Sequence, residues 1–222
     1  MAIELRLKIF KDPLSSSTHF VGFLAAIVGA VVLLVRSIHR PTLAWGMGLY
    51  GAALIGLFLA SSLYHFFDLG ERLNHWLRRL DHAAIFLFIG ACFVPPVLHL
   101  MRGGDRVLLL SVVGVIGVAG AIFKLVWFKA PLWLDMTGYL GMGWLGVLVI
   151  PAIWATLPGT ALVWYLGGGL LYTLGAVVFI LERPDPWPRL FGHHEIWHLF
   201  VLGGAISHYV FTYSLIDAPV LG

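Results

Sequence analysis

Charge is scarce in this chain. Only 11% of its 222 residues are Asp, Glu, Lys or Arg, against about 25% in soluble globular domains. With 60% hydrophobic residues and a mean hydropathy of +0.93, a soluble fold of this size could not hide its apolar surface. The same shortage excludes disorder, which needs low hydrophobicity and high charge. Cysteine is almost missing. Cys92 alone rules out an internal disulfide and a cysteine-based zinc site, and in its apolar stretch it reads as a small buried hydrophobe. The short alternating segments of a transmembrane β-barrel are lacking too. The net charge of +3 is spread over loops, so nucleic acid is not an expected partner. No cleavable signal peptide is expected, because the first apolar run is too long for a signal h-region and others follow it.

What is present is a series of long apolar runs. A helix needs about 20 such residues to cross a hydrocarbon core, and seven runs qualify, near 17–35, 42–65, 80–101, 107–128, 132–154, 160–181 and 194–216. The breaks at 36–41, 68–79, 102–106, 157–159 and 182–188 carry charge or turn residues. The expected fold is therefore an all-α integral membrane bundle of seven transmembrane helices. It divides into an N-terminal segment (1–16), the membrane domain (17–216) and a short tail (217–222). Ser15, Ser16 and Ser17, after Asp12-Pro13, offer an N-cap for the first span. The segment 3–10 reads either as an interfacial amphipathic anchor or as a charged tail. Loop Lys and Arg residues set orientation. Ten fall on the side of the N-terminus and four on the other, which predicts a cytoplasmic N-terminus and an external C-terminus. The frequent glycines, such as 167–169, 203–204 and Gly138, Gly141, Gly143 and Gly146, suit close helix packing.

Ionisable residues inside membrane spans are expensive and point to function. Chain direction puts His65 at the cytoplasmic end of span two, Asp81 and His82 at the start of span three, Asp135 near the start of span five, and His194 and His198 at the start of span seven. His194 and His198, four apart, share a helix face. Ser61 stands one turn deeper than His65 on theirs. Two imidazoles at i, i+4 with a third from a facing helix make a three-nitrogen set whose fourth position is open, the arrangement of a catalytic zinc site. Asp81 is the best-placed carboxylate to hold or deprotonate a water there. Interfacial or hydrogen-bonding histidines are the competing explanation. Three imidazoles suit zinc, with copper, nickel and iron as alternatives. His194-Glu195-Ile196-Trp197-His198 also reads H-E-x-x-H, the metallopeptidase pattern with Glu195 as base. A first-turn acidic residue facing the helix dipole is the preferred reading of Glu195. His208 lies about 15 Å from His198 by helical rise, too far for the same ion but placed to line a cavity. His19 suits a supporting role. His39, His75, His99 and His193 fall in loops or interfaces, and His82 points away from Asp81 towards packing.

Taken together, Ser17-Thr18-His19, Ser61-x-x-x-His65, Leu80-Asp81-His82 and His194-x-x-x-His198 with His208 resemble the progestin and adipoQ receptor family. The short N-terminal segment resembles its bacterial, haemolysin III-like branch. The resemblance runs from about Asp12 to about Ile216. It implies Zn2+ held by His65, His194 and His198 in the inner leaflet, with Asp81 holding the zinc-bound water and Ser61 beside it. The wider group has been proposed to contain membrane hydrolases, including ceramidases. The leading expectation is thus a zinc-dependent intramembrane hydrolase of a lipid amide or ester, in which water attacks, Asp81 takes its proton and Ser61 orients it or steadies an oxyanion. Its partners would be membrane lipids, and its location a bacterial inner or plasma membrane. A receptor-like sensor with structural zinc is the second reading. A pore-forming haemolysin ranks last, because the outer halves of the spans offer little beyond His99 and His208 for a polar path.

Overall fold

A computed structural model describes residues 11–187 and 191–219. The segment 3–10 lies outside them. Eight α-helices follow one another: α1 (Pro13–Ser37), α2 (Pro41–Phe66), α3 (Glu71–Leu100), α4 (Gly103–Val126), α5 (Leu132–Trp144), α6 (Ile150–Thr156), α7 (Gly159–Leu181) and α8 (His193–Ser214), with a 3-10 turn, Leu145–Val149, between α5 and α6. Six units are long and apolar enough to cross a membrane: α1, α2, α3, α4, the run from α5 through α6, and α7. The last helix has 22 residues. Its histidines, with Ser207 and Thr212, lower its apolarity, and it falls outside that set. Turns of two to four residues make most successive helices antiparallel neighbours, and α1 packs against α8 to close the bundle.

The surface confirms the solvent. Val115 is 69% exposed and Val163 70%, a cost in water that hydrocarbon removes. Exposed tryptophans mark two girdles, Trp45 and Trp154 at one end and Trp76, Trp127, Trp133 and Trp187 at the other, as at membrane interfaces. Inside, Leu33, Met47, Tyr50, Val97 and Phe211 are fully buried.

Four expectations need correction. The first helix starts at Pro13, so Ser15 and Ser16 lie in its first turn. Asp12 takes the N-cap place, but its side chain makes no cap bond. The charged stretch 71–79 is not a break: α3 runs through it from Gly70, whose φ of 85° ends the preceding turn. Lys124 and His99 are buried helix residues instead of loop or interface residues. The fifth run is broken, since Pro151 at the start of α6 removes a donor from the ladder, and the chain passes through the 3-10 turn. Tyr165 donates its hydroxyl to the Gly146 carbonyl at 3.0 Å, tying α7 to the 3-10 turn. Of the glycines, Gly138 and Gly146 sit close against Phe86 and Tyr165, but Gly141, Gly143 and Gly169 touch nothing with their Cα faces.

Two charged anchors hold the ends. Arg79 donates to the last carbonyls of α4 through Leu125 O at 2.6 Å. At the opposite end Arg40 donates to the carbonyls of Ile216 and Ala218, and Arg36 to the Tyr213 hydroxyl. Deep between α4 and α5, Lys124 Nζ donates to Asp135 Oδ2 at 2.6 Å, with both side chains almost fully buried. A buried pair is weak evidence of net stability, but a widowed partner is strongly destabilising. Asp135→Ala is therefore expected to lower stability by about 3–5 kcal/mol in equilibrium unfolding in detergent, while Lys124→Met combined with Asp135→Leu stays near the parent. A loss below about 1 kcal/mol on Asp135→Ala, typical of an exposed pair, would contradict the burial described.

Candidate metal centre

The last turn of α2 and the first turns of α8 meet at the end of the bundle where α3 and α5 also begin. His65 comes from α2 and His194 and His198 from α8. Their ring centroids are 5.0 Å apart for His65 and His194, 4.8 Å for His65 and His198, and 4.6 Å for His194 and His198. One ring nitrogen from each lies within 4.8 Å of the others, close enough for a shared cation to reach all three after small adjustments. His65 and His198 are buried and His194 is half-buried. Among the described residues this is the group of histidine, cysteine and carboxylate side chains able to hold a metal ion. It contains three candidate ligand side chains.

The residues present fit a metal. His65 Nδ1 is 2.9 Å from Asp12 Oδ2. An ionised carboxylate only accepts, so Nδ1 carries the proton and Nε2 keeps its lone pair. His198 Nδ1 is buried with no hydrogen-bond partner, a costly state for a polar nitrogen. The hydrogen bond from His65, opposed by partial burial, holds the Asp12 carboxyl below the usual carboxylate range. Asp12 precedes the first span, and sequence reasoning assigned it no role. Its proximity to His65 is a tertiary pairing that no spacing along the chain reports.

Around the cluster, His19 of α1 stacks on His198 with centroids 3.9 Å apart. Its Nδ1 is 2.8 Å from Ser61 Oγ and its Nε2 is 3.4 Å from the His198 carbonyl oxygen. One side chain of α1 thus touches both ligand-bearing helices. Ser61 is hydrogen-bonded to His19 and lines the same cavity as Asp81. Asp81 lines the same cavity as the three histidines but is not in the ligand-distance group. Asp135 is held by Lys124 and takes no part in the cavity lining.

The cavity has a volume of about 360 Å³, within the range of roughly 300–1,000 Å³ usual for small-molecule sites. Leu57, Ile85, Phe88, Phe93 and Val201 give it an apolar wall, and it reaches His208. His208 stacks on Tyr172 at 5.7 Å and meets the edge of Tyr165 at 5.5 Å, so it lines the cavity as its position on the helix suggested. His82 also lines the cavity and packs edge-on to Phe128 at 5.1 Å. Glu195 turns away. Its Oε2 accepts from the Gly192 backbone N–H at 2.8 Å and its Oε1 accepts from Ser15 Oγ at 3.0 Å. That is a helix-capping carboxylate bridged to α1, not a base facing the histidines.

Comparison with known proteins places these residues in context. Residues 7–209 match the family described as haemolysin-III related. The chain is 30% identical over 190 residues to hemolysin-3 of Bacillus cereus, covering 85% of this chain and 84% of that protein. It is 30% identical over 193 residues to heptahelical transmembrane protein 5 of Arabidopsis thaliana, covering 80% and 52%. It is 28% identical over 199 residues to the human monocyte to macrophage differentiation factor, covering 86% and 79%.

The two roles open to Glu195 separate experimentally. As a cap, Glu195→Ala should lower stability by about 0.5–2 kcal/mol in thermal or denaturant unfolding, with bound metal per chain unchanged. Full stability with lost metal or lost turnover would return Glu195 to the chemistry.

Proposed function

This chain belongs to the haemolysin III family of membrane proteins, and from that premise we propose that it is a zinc-dependent intramembrane hydrolase of a lipid amide or ester. The observation that carries the reading is the three-imidazole cluster at one end of an apolar cavity, with Asp81 and Ser61 beside it and no fourth protein ligand in the described residues. A structural zinc site closes its shell with four protein ligands, whereas a catalytic one leaves a position free. Bound zinc would supply Lewis acidity and an acidified water. Asp81 is placed to accept the proton released when water attacks a carbonyl carbon, and to return it to the departing amine or alcohol. Ser61 orients the attacking water, and His19 fixes Ser61. The apolar wall from Leu57 to Val201 receives an acyl chain and keeps bulk water out of the reaction. A pore would need a polar path through that same wall.

The same reading makes α8 the seventh span. Its 22-residue length, its packing against α7 and α1, and the description of the Arabidopsis relative as heptahelical support this. With Lys124 withdrawn into its ion pair, nine Lys and Arg residues remain on the side of the histidine cluster against four on the other. That bias supports a cytoplasmic N-terminus, an external C-terminus and a site in the inner leaflet of a bacterial plasma membrane.

The test is turnover of amide- and ester-linked lipids by the purified protein in detergent or nanodiscs, with and without a chelator. Turnover should stop with chelator and in His194→Ala, and fall by at least about 10²-fold in Asp81→Asn. Turnover unaffected by His194→Ala would overturn the assignment. Zinc bound without any lipid turnover would leave the receptor-like reading in its place.

A further inference from the structure

We propose that Asp12 is the positioning residue of the metal centre: its carboxylate fixes the ring of His65 so that Nε2 faces His194 and His198, and thereby sets the metal affinity of the cluster. The inference rests on the metal reading above and adds a component to it. Three independent features support it.

First, the contact is a charge-assisted hydrogen bond of 2.9 Å between Asp12 Oδ2 and His65 Nδ1, which selects one tautomer. Carboxylate partners of metal-bound histidines act in this way: they orient the ring and raise its basicity.

Second, Asp12 is held there by its own backbone. Its N–H donates to the His65 carbonyl at 3.0 Å, and the Lys11 N–H donates to the Phe66 carbonyl at 3.3 Å. Those are carbonyls that the end of α2 would otherwise leave without partners. Two residues ahead of α1 therefore lie along the end of α2 and carry the carboxylate to a ring 53 positions away.

Third, the contact displaces a favourable local one. Asp at an N-cap normally bonds the N–H of the first helical turn, a contact worth about 1 kcal/mol. Here the Ser16 N–H bonds to the Asp12 backbone oxygen, while the side chain makes no cap bond and reaches His65 instead. A local rule broken in favour of a distant partner marks a functional position.

The experiment measures zinc affinity of the intact purified protein by competition with a chromophoric chelator, together with helicity and thermal unfolding of the metal-free protein. Asp12→Ala should weaken zinc binding by about 10- to 100-fold, and Asp12→Asn, which keeps the shape but loses the charge, by a smaller factor. Asp12→Glu should recover most of the affinity, which a purely structural role of the segment would not produce. Zinc affinity within twofold of the parent in folded Asp12→Asn and Asp12→Ala would overturn the inference. His194→Ala separates the two layers of the argument. If it binds zinc as tightly as the parent, the metal reading itself is wrong. If it loses zinc while the Asp12 variants keep theirs, the role of Asp12 alone is wrong. Should Asp12→Ala fail to fold, the comparison of Asp12→Asn with Asp12→Glu decides.

Discussion

Nothing in the hydrocarbon core of a bilayer can solvate a polar group, so each one buried in the bundle must find its partner in the chain. Most of the interior obeys this rule in pairs. Lys124 has Asp135, Tyr165 has the Gly146 carbonyl, Ser207 donates to the Trp164 carbonyl, and Arg40 serves carbonyls beyond α8. His198 Nδ1 is one of six buried side-chain atoms of the described residues with no hydrogen-bond partner, and the one among them that belongs to a triangle of imidazoles. On the metal reading proposed above, a cation is the species that the lone pairs of the three rings suit.

The first helix is the element that makes the triangle possible. Its opening turns touch both ligand-bearing helices. Asp12 meets His65, His19 meets Ser61 on one side and His198 on the other, and Ser15 meets Glu195. Without α1, the angle between α2 and α8 would be set only by apolar packing, which tolerates sliding. With it, four polar contacts fix the distance between His65 and the α8 histidines. Ser15 and His19 are thus tertiary connectors, polar side chains in the first turns of a helix that is otherwise strongly apolar.

Much of this was legible in the chain, and for a definite reason. Chain direction alternates in an antiparallel bundle, so the ends of even spans and the starts of odd ones share a depth. That placed His65, Asp81, His194 and His198 in one layer, and i, i+4 spacing gave two of them a common face. For Glu195 the first-turn position predicted a carboxylate suited to the helix dipole, and the structure adds its hydrogen bonds from Gly192 N–H and Ser15 Oγ. Contacts between elements left no periodic trace. Asp12 stood outside the expected first span, and its turn towards His65 depends on how α1 and α2 dock. Lys124 counted as a loop cation, because its pairing with Asp135 spans the turn between two helices. The charged run 71–79 read as a break because its composition is polar, yet polarity outside the membrane does not end a helix whose residues favour one.

The interruption of the fifth run carries the most consequence for the cavity. A continuous helix there would present side chains and a closed backbone to α3 and α7. Instead Pro151 and the 3-10 turn bend the chain, and Gly143, Gly146 and Val147 face the cavity together with Gly169 across from them. Gly143 and Gly169 have open space where a Cβ would stand. Glycine gives up helix propensity of about 1 kcal/mol per position, and packing does not repay it at these two sites. Both line the cavity, where the absent side chains leave space. The Tyr165 hydroxyl donates to the Gly146 carbonyl, so α7 holds the 3-10 turn in place beside the cavity. The polar cluster at one end and the broken helix along the side border the same cavity, and on the proposed reading they supply the site and the space for an apolar chain.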